Sequence, residues 1–430
     1  MSDRKTDIQC DLMIIGTGMA GMAAGLFAAG QGIKAVLAGV VGQLSFASGL
    51  IDVLGVHPVA QGCVVENPWA GIERLCKDAP DHPYARLTTP SIQEAIHTVL
   101  KFMEAGSYPY VAHAGRNMTV ITPAGTVKPT YSVPHTMAAG PAAMAENKAA
   151  LIVDFKGLRG FSSRQIAQGL AERWPALRGV QVDFPGASAG ELYAERMARS
   201  LEVHENRARL VDAVLPHISD AAAVGFPAIL GISRTLEVMK DLEQGLGVPV
   251  FEIPTMPPSV AGMRLLEIFE QQLPARGIDA FFHHTVKLAG RSADGRWRFE
   301  IACGTQSRHV SARAALLCSG RFFGKGLYAG RKGIRETLFG LPVAQPMDRS
   351  SWHHKDLLYA DGHPVNRAGL AVDEGFRPVD GQGRLCYPNL FAAGAILAHQ
   401  DWMRQKCGSG LAIATAQGAV DAFVAADDFH

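Results

Sequence analysis

Residues Leu12–Gly25 read "LMIIGTGMAGMAAG", without one charged side chain, and the uncharged run continues to Ile33. Such a stretch suits a membrane span, an export signal or a phosphate-binding turn. A span needs about twenty predominantly apolar residues, whereas this run is mostly glycine and alanine. An export signal needs a basic region, a strongly apolar core and a small-residue cleavage site. Here Asp7 and Asp11 precede the run, and glycine fills it. The third reading fits. "DLMII" is a strand-length apolar run, and "GTGMAG" places Gly16, Gly18 and Gly21 in a G-x-G-x-x-G spacing. A helix of small residues follows from Met19 and stops at Gly30 and Gly32; "IKAVLA" is a second strand. Strand, glycine turn, helix and strand make the βαβ unit that binds a dinucleotide or flavin phosphate. Gly16 permits the tight turn, Gly18 admits a pyrophosphate to the backbone, and Gly21 lets helix and strand pack closely. The free N–H groups at the helix start favour the anion. The alternative is a glycine turn with a purely structural role.

This unit usually carries an acidic residue at the end of its second strand, on a ribose hydroxyl. That position falls near Ala38 and Gly39, and no Asp or Glu occurs between Asp11 and Asp52. Either the ligand is FMN, which has no adenosine, or backbone groups hold the adenosine.

A chain of 430 residues can bury a large core and is expected to divide into two domains. A net charge of +1 shows no polyanion footprint, so nucleic acid is not an expected partner. The 7 cysteines are scattered, without a C-x-x-C pair, which argues against a cysteine-ligated cluster, a structural zinc or a disulfide framework. No metal site is expected. Without a recognisable export signal the expected compartment is the cytoplasm.

Residues from Gly62 to about Pro90 have no clean period. Ser91–Ala105 carries an apolar helical stripe, "TVITPAGTVKPTYSV" reads as a hairpin turning at Pro123–Gly125, and "ALIVDFKGL" is a buried strand with a helix after it. A second clear helix follows Ser259, its apolar stripe running through Val260, Met263, Leu266, Ile268, Phe269 and Leu273 to a stop at Gly277. "IDAFFHHTVKLAG", "RWRFEIACG", "RHVSARAALLCSG" and "NLFAAGAIL" read as strands. The N-terminal unit is therefore completed from the C-terminal half. The expected division is residues 1–62, 258–322 and 366–430 for nucleotide binding, with 63–257 and 323–365 as a cap and substrate domain.

A second glycine cluster, "CGSG" at Cys407–Gly410, opens the final helix, which is apolar on nearly every face. A buried helix start needs partners for its free N–H groups. A flavin edge at Gly408, Ser409 and Gly410 would satisfy them, and the helix dipole would stabilise negative charge there. Close glycine packing of helix on sheet is the alternative.

Seven segments, in order along nearly the whole chain, resemble the family of B subunits of anaerobic glycerol-3-phosphate dehydrogenase. They are "IIGTGMAGMAAG", "LSFASGLIDVL", "TVKPTYSVPHTM", "DFKGLRGF", "EIPTMPPSVAGMRL", "CSGRFFGKGL" and "NLFAAGAILAHQDWMRQKCGSGLAIATAQGA". The resemblance implies an α/β flavoprotein: a Rossmann-like flavin-binding domain of the fumarate-reductase-like or glutathione-reductase-like kind, with an inserted α+β cap domain. It implies FMN, with FAD as the alternative, and oxidation of sn-glycerol 3-phosphate to dihydroxyacetone phosphate. It also implies two partners, an FAD-containing A subunit and an iron–sulfur C subunit. The latter links the pair to the membrane quinone pool, so that this chain is peripheral to the inner membrane through its partners. Lys325 stands where the family pattern has glycine, and "AHQDW" replaces a more glycine-rich version.

Ser45, Ser48 and Gly49 follow the second strand and are candidate flavin contacts, as is Gly394 in "NLFAAGA". A phosphorylated substrate calls for basic groups, and Lys128, Arg264, Arg321 and Lys325 lie in the family-like segments. His135 and His399 are candidate bases for a hydroxyl proton. His399 is preferred because "HQDWM" separates the flavin strand from the flavin helix. Each of these has a structural alternative. Two further functions stay open: a non-catalytic electron-transfer and assembly role, and an unrelated fumarate-reductase-like flavin oxidoreductase.

Overall fold

A computed structural model describes residues 7–40, 44–186, 190–304 and 306–427. The chain divides into two compact units. Unit 1 is Met1–Leu44, Asp52–Val99 and Phe269–His430, and unit 2 is Ser45–Ile51 and Leu100–Ile268. The division expected from the sequence differs: 63–99 and 323–365 pack with the nucleotide-binding unit rather than with the middle of the chain.

Unit 1 starts with β1 (Asp7–Ile15), α1 (Met19–Gly30) and β2 (Ala35–Gly39). Leu12, Met13 and Ile14 of β1 are fully buried, and so is every residue of β2 from Val36 to Ala38. Parallel strands covered on both faces have no polar side to show, which is why these segments run apolar without alternation. The sheet order is Asp279–Phe282, β2, β1, Gln306–Leu317, Trp297–Cys303 and Thr285–Arg291. Gln306–Leu317 serves two neighbours on one side. Its first part is antiparallel to Trp297–Cys303, and its last residues are parallel to Leu390–Ala392. The run "IDAFFHHTVKLAG" is thus two strands, broken at His283, whose φ is +63°. "NLFAAGAIL" gives a strand only at Leu390–Ala392 before turning at Gly394.

The final helix, Gly408–Asp427, packs on α1. Among the described residues it is the one helix long and apolar enough, by composition, to cross a membrane. Leu411, Ile413, Ala414, Ala416 and Val420 lie in the interior, so its apolar character is that of a core helix.

Unit 2 contains a four-stranded parallel sheet in the order Val250–Ile253, Ala223–Pro227, Ala150–Phe155 and Leu177–Val182. Helices connect consecutive strands, as parallel pairing demands. Side chains of Ala150–Phe155 alternate between two cores. Ala150 and Ile152 join Ile166, Trp174 and Phe251, while Leu151, Val153 and Phe155 join Leu210, Val214 and Leu242. The expected α+β segment is therefore built around a parallel layer. Its antiparallel part is two ribbons, one of them the expected hairpin of Met118–Ile121 with Val127–Thr130.

Candidate functional site

The site in unit 1 lies at the carboxyl edge of its parallel strands. Four successive strand ends are tied in a row: Gly16 N–H donates to Ala38 O at 2.8 Å, Cys318 N–H to Ile15 O at 2.8 Å, and Ala393 N–H to Leu317 O at 2.9 Å. At β1 the chain order reverses across the sheet, which is where open α/β sheets bind ligands. Gly16 has φ +118°, and a Cβ there would lie 2.3 Å from the Cys318 carbonyl oxygen. A Cβ on Gly21 would meet Gly16 O at 1.7 Å. The helix therefore begins pressed against the turn, as the spacing predicts. Gly18 is the N-cap residue, with φ −81° and ψ −176°, values open to any residue. Its backbone therefore does not itself demand glycine. Met19 opens α1, and the first turn holds no acidic side chain that would oppose an anion.

A cleft of about 600 Å³ opens on this turn. Gly16, Thr17 and Gly18 line one end, Gly39, Val40, His284 and Thr285 another, and Ser319, Phe322 and Lys325 a third side. Thr17 Oγ1 and Ser319 Oγ are buried and have no hydrogen-bond partner among the described residues. A buried hydroxyl left without a partner costs about 1–3 kcal/mol, so two of them at one phosphate turn mark where a polar ligand completes the structure. The residues fit a flavin nucleotide, whose phosphate oxygens accept from hydroxyl and N–H donors.

The second glycine cluster is organised differently from the sequence expectation. Gly410 N–H donates to Asp52 O at 2.8 Å, and Ser409 Oγ accepts from Asp52 N–H at 2.6 Å. A Cβ on Gly410 would meet Asp52 O at 2.8 Å and Tyr84 Oη at 2.9 Å, and one on Gly408 the Trp402 ring at 2.9 Å. The Asp52 carbonyl takes the Gly410 N–H, and the close contacts at Gly408 and Gly410 account for both glycines by packing. Gly394 has φ +80°; a Cβ there would lie 2.6 Å from Ala20 Cβ, and its N–H donates to Thr415 Oγ1. It joins the start of α1 to the final helix.

Of the candidate bases, His399 has φ +64°, is exposed, and lines a separate cleft of about 670 Å³ in unit 1 with His353, His354, Tyr359, Asp361 and Arg367. Arg321 donates to the carbonyls of Asn366 and Val365. Desolvation lowers its pKa, against the pull of Asp401. Its guanidinium is engaged in holding a loop rather than offered to a substrate.

In unit 2, Arg264 is 1% exposed and donates to Glu252 at 2.6 and 2.8 Å, to Gly231 O at 2.9 Å and to Tyr108 Oη at 3.3 Å. Burial alone would lower its pKa, but Glu252 and Tyr108 outweigh burial and raise it. Arg264 is a structural cation, which corrects the catalytic and phosphate-binding assignments. His135 is exposed at the start of a short 3₁₀ turn, and Lys128 lies on the strand Val127–Thr130. Ser48 Oγ accepts Leu50 N–H at 3.4 Å, Ser45 O accepts Ser259 N–H, and Gly49 O accepts the Tyr110 hydroxyl at 2.7 Å. Each makes a bond inside unit 2. Thr17 and Ser319 were missed because a lone hydroxyl carries no spacing signal. The only cue was adjacency, Thr17 inside the glycine motif and Ser319 at the end of a strand that pairs with β1.

Fold and cleft together define a flavin-dependent oxidoreductase, and the FAD binding domain family matches residues 11–411. The chain belongs to that family and, within it, to the B subunits of anaerobic glycerol-3-phosphate dehydrogenase. A Vibrio cholerae serotype O1 protein named as such a B subunit is 31% identical over 429 residues, 96% of each chain. A Halobacterium salinarum protein named as a probable B subunit is 32% identical over 438 residues, covering 98% of this chain and 99% of its own. Among solved structures, 3-ketosteroid delta1-dehydrogenase from Sterolibacterium denitrificans aligns over 97% of this chain and 100% of its own, with 10% identity and a TM-score of 0.44.

Proposed function

We propose that this chain is the flavoprotein through which an anaerobic, multi-subunit dehydrogenase takes electrons from sn-glycerol 3-phosphate, releasing dihydroxyacetone phosphate. The observation that carries the reading is the phosphate turn with its two unpartnered hydroxyls, in a chain of the B-subunit family. When bound, the flavin supplies a two-electron acceptor that no side chain can replace. The chain's own part is to hold it by the Gly16–Gly21 turn and to manage the substrate. His399, Arg367, His353 and His354 share one cleft. In this reading Arg367 meets the substrate phosphate and an imidazole nitrogen of His399 takes the hydroxyl proton. These four side chains all belong to unit 1. The partners are an FAD-containing A subunit and an iron–sulfur C subunit, which carry electrons to the quinone pool. The chain is cytoplasmic and held at the inner membrane by them.

The cleft favours FAD. It extends past the turn to Gly39, Val40 and His284–Val286, where an adenosine lies in this type of βαβ unit. FMN is the second reading, favoured by the lack of a carboxylate after β2. Extraction of the bound flavin and its mass decide the matter.

The functional test is anaerobic mixing of the flavin-loaded chain with sn-glycerol 3-phosphate. Bleaching of the flavin, lost in His399→Ala and Arg367→Ala, is expected. A chain that is bleached only in the presence of its partner would instead serve electron transfer and assembly. That alternative is favoured by one observation, that Arg264 and Arg321 are both committed to their own chain.

A further inference from the structure

The glycine turn offers N–H donors but no full charge, while a flavin phosphate is an anion. Among the described side chains lining the 600 Å³ cleft none is acidic, and Lys325 alone carries a fixed charge. Its backbone is in the left-handed region, φ +61°, which a lysine adopts only when its surroundings enforce it. They do so here. Lys325 N–H donates to Phe322 O at 3.2 Å, and Thr337 Oγ1 donates to Lys325 O at 2.7 Å. Gly326 packs so tightly that a Cβ would lie 2.2 Å from Gly320 O. The loop thus folds back on itself and leaves Phe322, Phe323 and Lys325 on the cleft wall. Phe322 and Phe323 remain 38% and 63% exposed.

We propose that Lys325 is the counter-cation for the flavin phosphate, with Phe322 and Phe323 forming an apolar cover over the same end of the cofactor. This rests on reading the cleft as the flavin site. Lysine acts on phosphate as a point charge, so the contribution is electrostatic and falls with salt. The loop's backbone keeps this exposed lysine on the cleft wall.

The test uses full-length apoprotein, with FAD, FMN and riboflavin as probes and dissociation constants from flavin fluorescence at low and high salt. Lys325→Gln is expected to weaken the phosphorylated flavin by roughly tenfold at low salt, with a smaller loss at high salt. Riboflavin, which has no phosphate, should bind both proteins equally, and Lys325→Arg should restore most of the affinity. Equal binding of FAD and FMN by wild type and Lys325→Gln would overturn the assignment, as would an equal loss of riboflavin binding. Wild-type apoprotein that binds no flavin would instead defeat the underlying reading of the cleft, and the two failures are told apart by the wild type alone.

Discussion

Replacing Arg264 by methionine separates a structural cation from a substrate-binding one. Glu252 is 2% exposed and accepts four hydrogen bonds: two from Arg264, one from Leu230 N–H at 2.7 Å and one from the Thr136 hydroxyl at 2.6 Å. Methionine fills much of the arginine volume but leaves the carboxylate with two neutral donors in a dry interior. Removing one partner of a buried ion pair costs about 3–5 kcal/mol. For a cooperative unit of roughly 150–250 residues, each kcal/mol moves Tm by about 2–4 °C. Unit 2 should therefore melt some 6–20 °C lower, at unchanged flavin affinity per folded molecule. The added change Glu252→Gln removes the stranded charge while keeping an acceptor for Leu230, and should recover about 1–2 kcal/mol. Differential scanning fluorimetry, with limited proteolysis to locate the loss, measures both variants. A variant Arg264→Met that melts within 2 °C or so of wild type, yet needs far more sn-glycerol 3-phosphate for half-maximal flavin reduction, would refute the reasoning.

Two further outcomes follow from the geometry. Gly18→Val should fold normally, because φ −81° and ψ −176° suit valine, but lose flavin by at least roughly tenfold; an equal flavin content in the purified variant would place the phosphate elsewhere. Burial depresses the His82 pKa to about 4 against the help of a bond to Gln405, so the folded state keeps His82 neutral while the unfolded chain binds a proton below about pH 6.5. Stability is then complete above pH 6.5 and falls towards pH 4, by about 2 kcal/mol at pH 5; comparing urea midpoints of wild type and His82→Gln across that range isolates the effect, and parallel profiles would contradict it.

The nucleotide-binding start was legible because every level of the sequence agreed there. Strand length, glycine spacing, small-residue helix and second strand all specify β1, α1 and β2, and the structure adds why Gly16 and Gly21 are needed. Legibility fell where long-range packing decides the outcome. Arg264 sits in a family-like segment and reads as a cation available for phosphate. Its partner Glu252 lies 12 residues earlier on a strand of the parallel sheet, and no local pattern announces the pairing. The parallel layer of unit 2 was equally hidden. Only one of its strands is a continuous apolar run; Leu177–Val182, on the edge, alternates with exposed residues and does not announce its partner. The same limit applied to "CGSG", where Ser409 Oγ accepts from the backbone N–H of Asp52, 357 positions away, and Gly410 N–H donates to the Asp52 carbonyl.

The missing carboxylate after β2 shows how packing can imitate a functional signal. The absence of an acid near Ala38 and Gly39 suits either FMN, which has no adenosine, or an adenosine held by backbone groups. Ala38 is fully buried, so a charge there would be unpaired in the core. A Cβ on Gly39 would lie 2.8 Å from both Gly16 Cα and Thr17 N. An acid at 38 would bury an unpaired charge, and one at 39 would displace the phosphate turn itself. Glycine at 39 is thus dictated by the turn next to it, whichever flavin binds. The choice between FAD and FMN passes to the cleft, where Val40, His284 and Thr285 continue the wall beyond the turn. If stoichiometric FMN is nevertheless extracted, that part of the wall serves something other than an adenosine, and the lack of an acid was informative after all.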